Sequence, residues 1–131
     1  MHYLTRDDLL DLHAYVIMRY GGRLGIASQD RLVGALNAPQ QVMFGAELYP
    51  DLPSKAAALT FLLLKGRPFL NGNQGSALFA MLRFLAINNA TLREDIGAFE
   101  LLHIIRAVDQ SEMDKDRLEQ WLRENVVRDE G

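Results

Sequence analysis

The sequence predicts an all-α fold of about six helices packed around a central pair. Three observations carry that prediction. First, Ala56–Leu64 and Ala77–Ile87 are strongly apolar almost without interruption, as helices buried on most sides are. Second, only a short polar stretch joins them, so the two helices must be neighbours. Third, capping residues stand in front of each apolar run that recurs at three- and four-residue spacing, and no segment shows clear strand alternation.

Taken in order, Thr5 is the first N-cap, with Asp8 three residues on as a weak capping box. Leu9, Leu12, His13, Val16, Ile17 and Tyr20 line one face of the helix that follows, and Gly21-Gly22 ends it. Ser28 caps a second helix carrying Leu32, Ala35 and Leu36, which stops at Pro39. Residues 38–50 read as the longest irregular segment, a plain loop whose Met43, Phe44 and Tyr49 cover the edge of the core. Asp51 caps the first central helix, with Pro53 tolerated in its first turn. The second central helix begins near Asn73, uses the small Ala77 and Ala80 for close packing, and ends at Asn88-Asn89. Asp95 is expected to cap a fifth helix whose apolar set is Phe99, Leu102, His103, Ile105 and Ala107. Asp114 is expected to cap a sixth, with Leu118, Trp121, Leu122 and Val126. The tail, Arg128–Gly131, is expected to fray.

The most specific stretch is Arg67-Pro68-Phe69-Leu70-Asn71-Gly72-Asn73-Gln74-Gly75. Pro68 cannot continue a helix and disfavours helical geometry at Arg67. Gly72 takes a positive φ at little steric cost. The chain must therefore stop, turn and restart between its two central helices. The first N–H groups of the restarted helix have no partner within it. Together with the positive end of the helix dipole they favour an anion, most simply phosphate.

This loop resembles that of the Fic/Doc (Fido) superfamily, roughly His-Pro-Phe-x-Asp/Glu-Gly-Asn-Lys/Gly-Arg. Pro68, Phe69, Gly72 and Asn73 match. Further blocks follow the death-on-curing (Doc) branch in order: Tyr3-Leu4-Thr5-Arg6-Asp7-Asp8-Leu9, Leu12-His13, Tyr20-Gly21-Gly22, Gly25-Ile26, Leu32-Val33-Gly34-Ala35-Leu36, Leu48-Tyr49-Pro50, Lys55-Ala56-Ala57 and Phe84-Leu85 with Asn88. The resemblance spans about residues 3–92 and implies a single Fido domain over residues 1–131. In that superfamily the segment matching residues 38–50 is a flap beside the active site.

The resemblance also implies a chemistry. The family's loop binds a nucleotide with Mg²⁺ and passes a nucleotidyl or phosphoryl group to a target hydroxyl. Here the positions that carry acid–base or formal-charge roles are exchanged. Arg67 stands at the catalytic His, and a guanidinium cannot act as a base near neutral pH. Asn71 stands at the acidic metal ligand and offers a neutral carbonyl to an ion that prefers charged oxygens. Gln74 stands at the Lys or Gly, and Gly75 at the phosphate-binding Arg. Losing one such donor costs about 3–4 kcal/mol of barrier. Losing the base costs about 10²–10⁴-fold more. The expectation is therefore a catalytically inactive Doc-like protein of a toxin–antitoxin type system. It would bind a small antitoxin-like partner, or hold a nucleotide or phosphate on Gly72, Asn73, Gln74 and Gly75. The loop's formal charge of +1, now from Arg67 alone with Lys65 two residues upstream, has moved to its entrance. The alternative is an active transferase moving a phosphoryl or AMP group to a protein hydroxyl. It would use Mg²⁺ with ATP or another nucleoside triphosphate, Arg67 as a clamp, and His13, His103 or the target to handle the proton.

Composition narrows the partners. A formal net charge of −3 with no basic run argues against direct nucleic-acid binding. The absence of cysteine removes disulfides and thiolate metal sites and fits a cytoplasmic protein. No segment is apolar for the roughly 20 residues a membrane span needs, and the first residues lack the pattern of a signal peptide. His2 is terminal, while His13 and His103 are expected on apolar helix faces without metal-ligand spacing. Ser76 is expected as a first-turn residue with no base beside it.

Overall fold

The third helix begins where Asp51 accepts from the backbone of Ser54 and Ser54 answers to the backbone of Asp51, a reciprocal cap. From there Leu52–Gly66 runs through the middle of the molecule, with Ala56, Ala57, Ala58, Leu59, Leu63 and Leu64 all buried. Thr60, the polar residue in this run, is buried and returns its hydroxyl to the carbonyl of Ala56. The fold is described by a computed structural model over residues 1–129. In chain order its helices are α1 (Arg6–Tyr20), α2 (Gln29–Asn37), α3 (Leu52–Gly66), α4 (Asn73–Ile87), α5 (Ala98–Asp109) and α6 (Lys115–Asn125). The α3–α4 contact is the most extensive, and buried Ala77 and Ala80 let the two helices approach. The other helices pack around this pair, as an all-α Fido fold requires. Thr5, Ser28, Asp51 and Asp114 cap the helices that the sequence assigns to them.

Several expectations need correction. Two small antiparallel pairs exist where no strand was expected: β1 (Val42–Met43) with β2 (Ala46–Glu47), and β3 (Ala90–Leu92) with β4 (Val126–Arg128). Strands of two or three residues are too short to show a period. Arg128 is paired with Ala90 rather than frayed, and Val126 belongs to β4 rather than α6; Glu130 and Gly131 lie outside the described residues. Residues 38–50 are not a plain loop. A 3₁₀ turn at Ala38–Gln40 leads into the β1–β2 hairpin, whose turn residues Phe44 and Gly45 have φ of 52° and 80°. That is the twist a two-residue hairpin turn needs. Phe44 is fully exposed at the tip and Met43 more than half exposed, so neither covers the core.

Gly97, not Asp95, caps α5, while Asp95 pairs with Arg93. The buried face of α5 is Ile104, Ile105, Ala107 and Val108. Phe99 and Leu102 are exposed, and so is His103, which therefore does not sit on an apolar face. Tyr20 is likewise exposed at the end of α1.

One buried charge anchors the hairpin. The Lys55 side chain lies inside, its Nζ donating to the Pro39 carbonyl at 2.8 Å and to Glu47 Oε1 at 2.9 Å, with the Tyr3 ring 5.6 Å away. Burial pulls this amine's pKa down, but Glu47 and Tyr3 together outweigh it and the net shift is upward, so the ammonium persists.

Candidate functional site

The α3–α4 loop has a buried back and an open front. At the back, Pro68 and Phe69 are buried, and the Pro68 carbonyl accepts from the N–H groups of Ala27 and Ser28. Leu70 N–H donates to the Gly25 carbonyl, and Ile26 bridges Phe69. The segment after α1 is thus laced to the loop. Asn73, the first residue of α4, turns its side chain back on the loop. Its Oδ1 accepts from Phe69 N–H and its Nδ2 donates to the Phe69 carbonyl, both at 3.0 Å. The amide closes the turn on itself rather than reaching outward. Gly72 is the N-cap with φ of 72°, and no side chain caps α4.

His13 completes the back. Its ring stacks on Phe69 at 3.8 Å between centroids, nearly parallel. Nε2 accepts from Gly25 N–H at 3.3 Å, so Nδ1 carries the proton and donates to Ser76 Oγ at 3.2 Å. Burial lowers the pKa of this imidazole below its ordinary value. Ser76 is a first-turn residue as expected, but a base stands beside it, contrary to expectation. That base points its N–H, not its lone pair, at a hydroxyl that is wholly buried.

The front holds the exchanged positions. Arg67, in left-handed geometry with φ of 47°, ends α3 and pairs through Nη1 with Asp109 Oδ1 at 2.7 Å. Gln74 Nε2 donates to Asp109 Oδ2, also at 2.7 Å. Lys65 donates to the Asp109 carbonyl at 3.1 Å and to Ser111 Oγ. Asn71 Oδ1 accepts from Arg23 N–H at 2.7 Å. Gly75 faces α1, where an added Cβ would stand 2.8 Å from Val16 Cγ1. Structure thus brings Arg67 and Gln74 together, keeps Asn73 inside the loop, and places Asn71 on the segment after α1.

Asp109 is the residue sequence reasoning missed. It lies 42 residues from Arg67 and 35 from Gln74. One signal was available: an acid in the last turn of a helix opposes the helix dipole and calls for a cation nearby.

The loop does not fit Mg²⁺ as built. Its former acidic position offers a neutral oxygen already bonded to a backbone N–H, and both oxygens of Asp109 are engaged. Among the described residues no group of three His, Cys, Asp or Glu is arranged to hold a metal ion. Beside the loop, Val16, Tyr20, Leu78, Phe79, Leu102 and Ile105 line a mostly apolar cleft of about 430 Å³ between α1, α4 and α5, with Gly72, Gln74 and Gly75 at its polar end.

A model of the Fic/DOC family matches residues 3–85. The chain belongs to the Fic/Doc family. It is 30% identical over 116 residues to a protein named Toxin Doc from Mycolicibacterium smegmatis, a match covering 88% of this chain and 87% of that protein. The Doc-like branch indicated by the ordered motifs is thus the right one, and the family match ends within the last turn of α4. No helix of the described residues is long and apolar enough to cross a membrane.

Proposed function

We propose that this Doc-like chain acts in a toxin–antitoxin type system by binding and has lost group transfer. The observation that carries this reading is the ion pair between Arg67 and Asp109. The family's base position is held by a permanently charged guanidinium with its own counter-ion. The imidazole packed on the loop, His13, has both ring nitrogens bonded and is buried. A general base needs a free lone pair within reach of the proton it takes.

The partner surface is the cleft beside the loop. Its floor is apolar, and the exposed Tyr20 and Leu102 extend it. Arg19 adjoins Tyr20, and Arg106 lies one turn beyond Leu102. Both arginines are exposed and make no ion pair among the described residues, so each is open to an acid supplied by a partner. An amphipathic helix with an apolar face and acidic flanks fits this surface, and an antitoxin-like protein is the partner proposed to supply it.

Two measurements test the reading. Purified protein incubated with Mg²⁺, labelled nucleoside triphosphate and cell lysate is expected to label nothing; label transfer that Arg67→Ala abolishes would overturn it. The product of an adjacent short reading frame is expected to bind, and Leu102→Glu to weaken binding at least about tenfold.

A further inference from the structure

Two of the exchanged loop positions converge on one group. Arg67 and Gln74 each donate to a different oxygen of Asp109, both at 2.7 Å, and the Asp109 side chain is only 10% exposed. One donor is charged and the other neutral. This is the donor set for a planar monoanion whose two oxygens each take one bond in a fixed direction. Phosphate asks for more: a tetrahedral array of oxygens and up to two negative charges. The cations that the family's loop places at the start of the second central helix are absent here. Gln74 is neutral, and Gly75 has no room for a side chain against Val16. The one positive charge of the loop, on Arg67, is cancelled by Asp109.

We propose that the exchanged loop has become a carboxylate receptor whose resident ligand is Asp109, and that this occupancy closes the cradle to phosphate. The two substitutions then belong together. The guanidinium at 67 and the amide at 74 each supply one N–H to a separate oxygen of the same carboxylate. The end of α5 is fixed to the loop by the same contact, with Lys65 holding the adjoining carbonyl. A second carboxylate can enter only by displacing the first. A phosphate arriving at the start of α4 meets a cation already neutralised and two donors already taken.

The inference rests on the loop being a binding site rather than a transfer site, and its test uses neither nucleotide nor metal, so the two can fail separately. Asp109→Ala leaves a carboxylate-sized gap between Arg67 and Gln74. Thermal unfolding of wild type and variant is compared in sodium acetate, sodium phosphate and sodium chloride at matched ionic strength and neutral pH. Acetate is expected to raise the midpoint of Asp109→Ala saturably, by several degrees beyond its effect on wild type. Phosphate is expected to act equally on both. The acetate response is expected to vanish in the Arg67→Ala, Asp109→Ala double variant. Phosphate rescuing Asp109→Ala as well as acetate does, or neither anion rescuing it, would overturn the proposal. If Asp109→Ala does not fold, Asp109→Ser carries the same titration, because its hydroxyl keeps a polar partner for Gln74.

Discussion

The back and the front of the α3–α4 loop are made of neighbouring residues but obey different rules. At the back stand the positions that match the family pattern: Pro68, Phe69, Gly72 and Asn73. Each holds the chain in place, by a carbonyl shared between two N–H groups, a buried ring, a left-handed turn or a closed amide. At the front stand the exchanged positions: Arg67, Asn71, Gln74 and Gly75. The three side chains each have a partner within the chain, namely Asp109, the Arg23 backbone and Asp109 again, while at Gly75 an added Cβ would run into Val16. The residues that keep the turn do so through contacts that involve none of the exchanged side chains. A merely decayed site would leave the exchanged side chains idle in solvent, and these are not.

The comparison predicts that damage at the back outweighs damage at the front. Asn73→Ala should be the most severe single change, since it strips both partners from the Phe69 backbone inside the core. Each buried group left unsatisfied costs about 1–3 kcal/mol, so a loss of about 3 kcal/mol is expected in denaturant unfolding. Gly75→Ala tests the close approach of α1. In an exposed helix this change gains roughly 1 kcal/mol. Here the new methyl meets Val16, and overpacking of about 1–3 kcal/mol should reverse the sign. Restoring the family's residue with Gly75→Arg should therefore destabilise the fold and restore no transfer.

The pH profile probes the back through His13. Its folded pKa is depressed by burial, so the unfolded chain takes up the proton first. This contribution to stability is complete above the ordinary value of 6.5 and is lost as pH falls from there through the folded value. Denaturant midpoints should decline with acid over that window in wild type and lose this slope in His13→Gln. Asp51, held at about 2 chiefly by Arg123, keeps its full contribution above about 3.8 and loses it only as pH falls from there toward 2, in a separate window. The smallest effect should come from the front. Arg67→Gly gives up a half-exposed ion pair worth about 0–1 kcal/mol and relieves a left-handed residue by about 1 kcal/mol. Its unfolding midpoint should lie within about 0.5 kcal/mol of wild type, whereas Arg67→Ala, with no such relief, should be less stable.

What could be read from the sequence follows the range of each interaction. Caps at Thr5, Ser28, Asp51 and Asp114 involve residues three apart, and all were legible. So was the break at Pro68 and Gly72, because it is a property of those residues. The register of α5 was not, since its cap, Gly97, offers no side chain and its apolar Phe99 and Leu102 stay in water. The hairpin lacked the Asn-Gly signal that marks such turns. At the site, the exchanged residues could be named, but their common partner could not. An acid in the last turn of α5 calls for a cation, but nothing local names donors 42 and 35 residues away.

The buried ammonium of Lys55 constrains what lies above it. If residues 42–47 lifted away, the charge would be stranded in the interior with one peptide oxygen and the face of a ring. Lifting the hairpin would take away the carboxylate that answers this ammonium. The hairpin is therefore tied to α3 through Glu47, with Phe44 held out at its tip.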